Sequence, residues 1–90
     1  MGIAVVQMKL MPESPSEDLK LIESEAEKII LSFHKTQVKI EEQPIAFGLN
    51  AIILSFAWND EVDIEKLEAK LQVIAHVSSV ELLDLRKAFG

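Results

Sequence analysis

The chain has 90 residues, of which 49% are apolar and none is cysteine, and it carries fifteen acidic against nine basic residues for a net charge of −6. That length suits one small packed domain over residues 1–90, and the missing cysteine excludes disulfide frameworks, zinc knuckles and thiol redox motifs. The acidic balance argues against direct nucleic-acid binding, whose affinity comes largely from Lys and Arg neutralising phosphate.

The elements follow in chain order. In "IAVVQMKLM", residues 3–11, Ala4, Val6, Met8 and Leu10 fall on one face and Gln7 and Lys9 on the other, so a first strand is predicted. "PESPSEDL" reads as a helix start, with Ser14 as N-cap, Pro15 at the first helical position and Glu17 completing a capping box. Leu19, Ile22, Ala26, Ile29, Ile30 and Phe33 recur at helical spacing through about residue 31, while Glu23, Glu25, Glu27 and Lys28 read as a solvated face. From "HKTQVKIEE" the period is two again, with Val38 and Ile40 on one side, which predicts a second strand.

"LNAIILSFAW" is apolar on both faces, as suits a central strand. "NDEVD" supplies capping residues for a second helix whose stripe is Ile64, Leu67, Leu71, Ile74 and Ala75. "HVSS" ends it, and "VELLDLRKAF" reads as a last strand of irregular alternation. The order βαββαβ predicts an α+β, ferredoxin-like sandwich: a four-stranded antiparallel sheet in the order 4-1-3-2, with both helices on one face. The longest apolar run, "PIAFGLNAIILSFAW", falls short of the ~20 residues of a membrane span. No basic segment followed by a long apolar block opens the chain, so a cytoplasmic protein is expected.

Enzyme chemistry finds no support. His34 and His76 lack a partner at helical spacing for a metal pair, and the acidic clusters lack the sharp glycine turn of a calcium loop. No glycine-rich phosphate loop exists, and no serine stands in a recognisable triad. The expectation is therefore a non-enzyme with neither cofactor nor metal. Two features stand out instead. The first is the bend in "EEQPIAFGLN", with Pro44, Ile45 and Phe47 in its neighbourhood: either Ile45 and Phe47 cap the top of the core, or the bend is an apolar contact patch for a partner. The second is the pair Arg86–Lys87, which is either solubilising charge on an edge strand or a projecting cation. The predicted topology sends the bend to one end of the sheet and the pair to the other. A strand of seven residues rises roughly 23 Å, so the two cannot form one active site.

"KLMPESP", "EEQPIAFGL" and "VSSVELLDLRK", in that order along nearly the whole chain, resemble archaeal elongation factor 1-beta. That family is the small counterpart of the nucleotide-exchange domain of eukaryotic elongation factor 1-beta, and it shares the ferredoxin-like fold. The resemblance implies guanine-nucleotide exchange on a GTPase partner, elongation factor 1-alpha, without covalent chemistry. It implies docking on a β-barrel domain of the GTPase with one end, and entry beside the nucleotide with the other, disturbing the magnesium and switch regions. The family's exchange lysine falls on Lys87, with Arg86 as the alternative after a one-residue slip. Its docking segment falls on Glu42, Gln43, Pro44, Ile45, Ala46 and Phe47, where Glu42 replaces an aromatic of the eukaryotic pattern. The chain is expected to act as a monomer. A ferredoxin-like domain that binds a small regulatory molecule is the alternative. An RNA-recognition domain would need exposed aromatics on the middle strands and a basic face, which are lacking.

Overall fold

The computed structural model describes residues 2–59 and 61–89; Asp60, in the expected "NDEVD" cap, and Gly90 lie outside them. Among the described residues, four strands and two helices follow one another as β1 (Ile3–Pro12), α1 (Leu19–Phe33), β2 (Lys39–Pro44), β3 (Asn50–Asn59), α2 (Ile64–Gln72) and β4 (Val77–Phe89), with a 3-10 turn at Ala46–Gly48. The strands form one sheet in the order β2-β3-β1-β4, every neighbouring pair antiparallel. This is the expected 4-1-3-2 order counted from the other edge, and the ferredoxin-like fold is borne out.

Alternation decides which face is covered. Ala4, Val6, Met8 and Leu10 of β1 join Ile52, Leu54, Phe56 and Trp58 of β3 in one buried cluster. From above, α1 contributes Ile22, Ala26 and Ile30, and α2 contributes Leu67 and Leu71. Both helices thus bury their apolar stripes on the same side of the sheet, while Val5, on the other side, stays half exposed. Trp58 is 1% exposed. Its ring lies 5.7 Å from Phe56 and 6.1 Å from Phe33, and its indole N–H donates to the Val62 carbonyl at 2.9 Å. An indole can be buried so completely because its one donor is satisfied.

Several boundaries differ from the sequence reading. Ser14 does not cap α1: Asp18 does, its carboxylate accepting from the Leu21 N–H at 3.3 Å. Ser14 and Glu17 close a separate turn, in which the Ser14 hydroxyl donates to the Glu17 carboxylate at 3.3 Å and the Glu17 N–H to the Ser14 carbonyl at 3.4 Å. That turn is held by the rest of the fold, since the Glu13 N–H donates to the His76 carbonyl at 2.9 Å. The helix then runs two residues further than expected, to Phe33.

Strand β2 begins only at Lys39, opposite Ser55, although Val38 before it still packs on the core. Helix α2 stops at Gln72, so Ile74 and Ala75 lie beyond it; Ile74 remains buried and Ala75 is exposed. The irregular alternation of β4 comes from register shifts against β1, one of them between Gln7 and Met8 that leaves Leu83 without a partner across the ladder. Glu23, expected in solvent, is 7% exposed. No helix among the described residues is long and apolar enough to cross a membrane.

Candidate functional site

The bend after β2 does not hide its aromatic residue. Phe47 is 92% exposed, which removes it from the top of the core, while Ile45 is half-buried. The turn is closed by the Ile45 N–H donating to the Leu49 carbonyl at 2.8 Å and the Leu49 N–H donating to the Ala46 carbonyl at 3.3 Å. Phe47 sits at φ 63 and Gly48 at φ 76, so two consecutive residues are left-handed. Glycine adopts that conformation freely, whereas for a bulky residue it costs of order 1–2 kcal/mol. Phe47 therefore combines a strained backbone with a fully presented ring.

The other loops at this end are tied to the bend and to one another. A Cβ added to Gly48 would lie 3.9 Å from the Pro15 side chain. The Ser78 hydroxyl donates to the Met11 carbonyl at 3.2 Å. His76, also left-handed at φ 72, lies with Nδ1 3.2 Å from Glu17 and 3.7 Å from Glu13. This corrects the reading of an isolated histidine: the topology joins residues some sixty positions apart in sequence. Among the described residues, Glu13, Glu17 and His76 are where three metal-ligating groups gather, their atoms within 4.8 Å of one another.

Below the bend, the end of β2 meets α1 through charge. Lys20 Nζ lies 3.6 Å from Glu23 and 3.4 Å from Glu42. Burial, helped by hydrogen bonding to and repulsion from Glu42, pushes the Glu23 carboxyl up to about 7. The hydrogen bond from Glu23 holds Glu42 below the usual carboxylate range, and Glu42 in turn holds Lys20 above the usual ammonium range. Sequence reasoning missed this group, yet a signal was present. Glu23 stands four residues after Leu19 and three before Ala26, within the apolar stripe itself.

At the opposite end, Arg86 and Lys87 separate. Arg86 pairs with Val5 and Lys87 with Ala4 across β1, so neighbouring residues take opposite faces of the sheet. Arg86 is on the open face, with Nη2 2.8 Å and Nε 3.1 Å from one oxygen of Asp84. Lys87, exposed, is on the helix face, in a row that runs through Ala4 to Trp58. The far ends are well apart. Pro44 pairs with Asn50, Trp58 lies eight residues further along β3, and at ~3.4 Å per residue the separation is ~27 Å.

The EF-1 guanine nucleotide exchange domain family matches residues 5–88. The chain belongs to that family. It is 41% identical to elongation factor 1-beta of Methanobrevibacter smithii, with 97% of this chain and 98% of the relative covered. The elongation factor 1-beta proteins of Methanothermobacter thermautotrophicus and Methanosarcina mazei are 39% and 34% identical, covering 97% and 99% of this chain and 98% of each relative. Guanine-nucleotide exchange in translation elongation, expected from the resemblance, is thereby supported for this exchange domain.

Proposed function

We propose that this exchange domain promotes release of GDP from elongation factor 1-alpha by a two-ended contact. The bend, from Glu42 to Phe47, docks on the GTPase, and Lys87 reaches toward the magnesium and phosphate region. No covalent step is involved, and the domain needs neither nucleotide nor cofactor of its own. The observation that carries this reading is Phe47: a ring left in water on a strained backbone, at the end of the sheet remote from Lys87. Exposed aromatics of this kind supply much of the affinity where a partner buries them.

Lys87 is favoured over Arg86 as the exchange cation because the family's exchange lysine falls on it and its ammonium is a compact point charge, on the opposite face of the sheet from Arg86. An ammonium brought beside the phosphates competes with Mg²⁺ for the same anionic groups, which weakens GDP retention. By linkage, a protein that binds the empty GTPase more tightly than the loaded one speeds nucleotide release without touching the nucleotide. Such an activity belongs with translation in the cytoplasm, and a monomer suffices for it.

The test is release of fluorescent GDP from purified elongation factor 1-alpha, with the full chain added in increasing amounts. Acceleration that saturates with concentration is expected. An unchanged release rate at concentrations where the two proteins form a complex would overturn the proposal.

A further inference from the structure

Glu23 is the buried charged residue among the described residues, and its Oε2 has no hydrogen-bond partner. A carboxylate placed there would leave an acceptor both charged and unpaired, which burial makes unfavourable. A proton removes the charge and turns the group into a donor, and the Glu42 carboxylate stands across the shared Lys20 ammonium as an acceptor. Among the described residues, the ionic contacts of both carboxylates run to one cation. On its own helix the cation beside it is Lys20, which is shared with Glu42. From β2 it meets Glu42; β3 beneath presents Ile52 and Leu54, and both are apolar and fully buried.

We propose that Glu23 and Glu42 share one proton and, with Lys20, clasp the end of edge strand β2 onto α1, and that this clasp loosens when the proton is lost. Glu42 stands two residues before Pro44, where the chain turns into the bend. β2 is an edge strand held by backbone bonds to β3 alone, so its helix-facing side chains, Ile40 and Glu42, supply the rest of its anchorage. With the proton present, one ammonium and one hydrogen bond serve a single negative charge. Without it, two carboxylates oppose each other across one lysine, and the bend loses its nearest polar tie.

The sign of the pH dependence follows from the paired titration. The two carboxyls titrate as a unit, one proton leaving below the ordinary glutamate value of 4.5 and the other at about 7. Between these limits the folded pair keeps one proton. The unfolded pair keeps two below pH 4.5 and none well above it. The contribution of the clasp to stability therefore rises as pH climbs to about 4.5, falls from there to about 7, and is gone above it.

Carbon-13 NMR of the side-chain carboxyls in the full chain, from pH 3 to 9, tests this without interference from histidine. The Glu23 carboxyl is expected to titrate near 7 and that of Glu42 below 4.5. In Glu42→Gln, the Glu23 midpoint should fall by about one unit or more, a tenfold change in proton affinity. Hydrogen exchange supplies the mechanical readout. Protection of the Ile45 amide, corrected for intrinsic rates, should drop severalfold between pH 6 and 8 in the wild type and stay level in Glu23→Gln. A Glu23 midpoint near 4.5, a midpoint indifferent to Glu42→Gln, or protection that does not change with pH in the wild type overturns the clasp. Should Glu23→Gln not fold, Glu42→Gln decides alone, since its side chain is surface-accessible. These readouts need no GTPase, so their failure is distinct from failure of the exchange proposal.

Discussion

Phe47 carries two costs at once, an unburied ring and a left-handed backbone. A residue kept for packing has neither. Truncation to alanine should therefore weaken the complex with elongation factor 1-alpha by about 10- to 30-fold, the range of a strong interface aromatic. The melting temperature should move by less than about a degree, because almost no buried surface is lost. Phe47→Gly sharpens the point: it relieves the φ 63 strain, so urea stability should be at least that of the alanine variant while binding stays weak. A large stability loss in either variant would return Phe47 to a structural role.

Arg86 and Lys87 are separated by the same logic. Under the proposed mechanism, Lys87→Ala should slow stimulated GDP release by about 100-fold, since it would remove a charge needed only as the nucleotide leaves. Arg86→Ala, which breaks the contact to Asp84, should slow it by less than about threefold, with circular dichroism unchanged in both. Full activity in both variants would dispose of the cation mechanism.

Elements were legible where the pattern was local. The alternation from Ile3 to Met11 and the stripe from Leu19 to Phe33 each report which side faces the core; β1 formed within a residue of its expected bounds, whereas the cap of α1 moved four residues, from Ser14 to Asp18. What stayed hidden depended on distant chain. Ser14-Pro15-Ser16-Glu17 has the composition of a helix cap, but the His76 carbonyl takes the Glu13 N–H and draws this segment into a turn of its own. Glu23 looked solvated because its neighbours are acidic; its partner Glu42 belongs to a strand whose distance in space no local pattern reveals. The candidate site divides in the same way. The bend and the cation pair could be named from residue type and topology, whereas the exposure of Phe47 and the opposite faces of Arg86 and Lys87 required the register.

The cap reassignment yields a direct check. Asp18→Ala should cost about 1 kcal/mol by urea denaturation, as loss of an N-cap does, and Ser14→Ala less than about 0.5 kcal/mol. The reverse ranking would restore Ser14 as the cap.

At the scale of the whole molecule, β3 and β1 set a separation of ~27 Å between the bend and Lys87, the span that the proposed two-ended contact would use. The sheet is well suited to that task, because its middle strands are flanked on both sides and covered by the helices, so the distance is held by packing rather than by a loop. A two-ended contact of this kind makes a kinetic demand that a one-ended contact does not. Phe47→Ala should raise the concentration giving half-maximal exchange and leave the plateau rate near that of the wild type. Lys87→Ala should lower the plateau and leave the half-saturating concentration nearly unchanged. Because the residues are far apart, their free-energy effects should add to within about 0.5 kcal/mol in the double variant. Stimulated release measured across the four proteins checks this. If the double variant is no slower than Lys87→Ala at limiting concentration, the two ends do not engage together, and the bend must serve some other partner than the one at which Lys87 works.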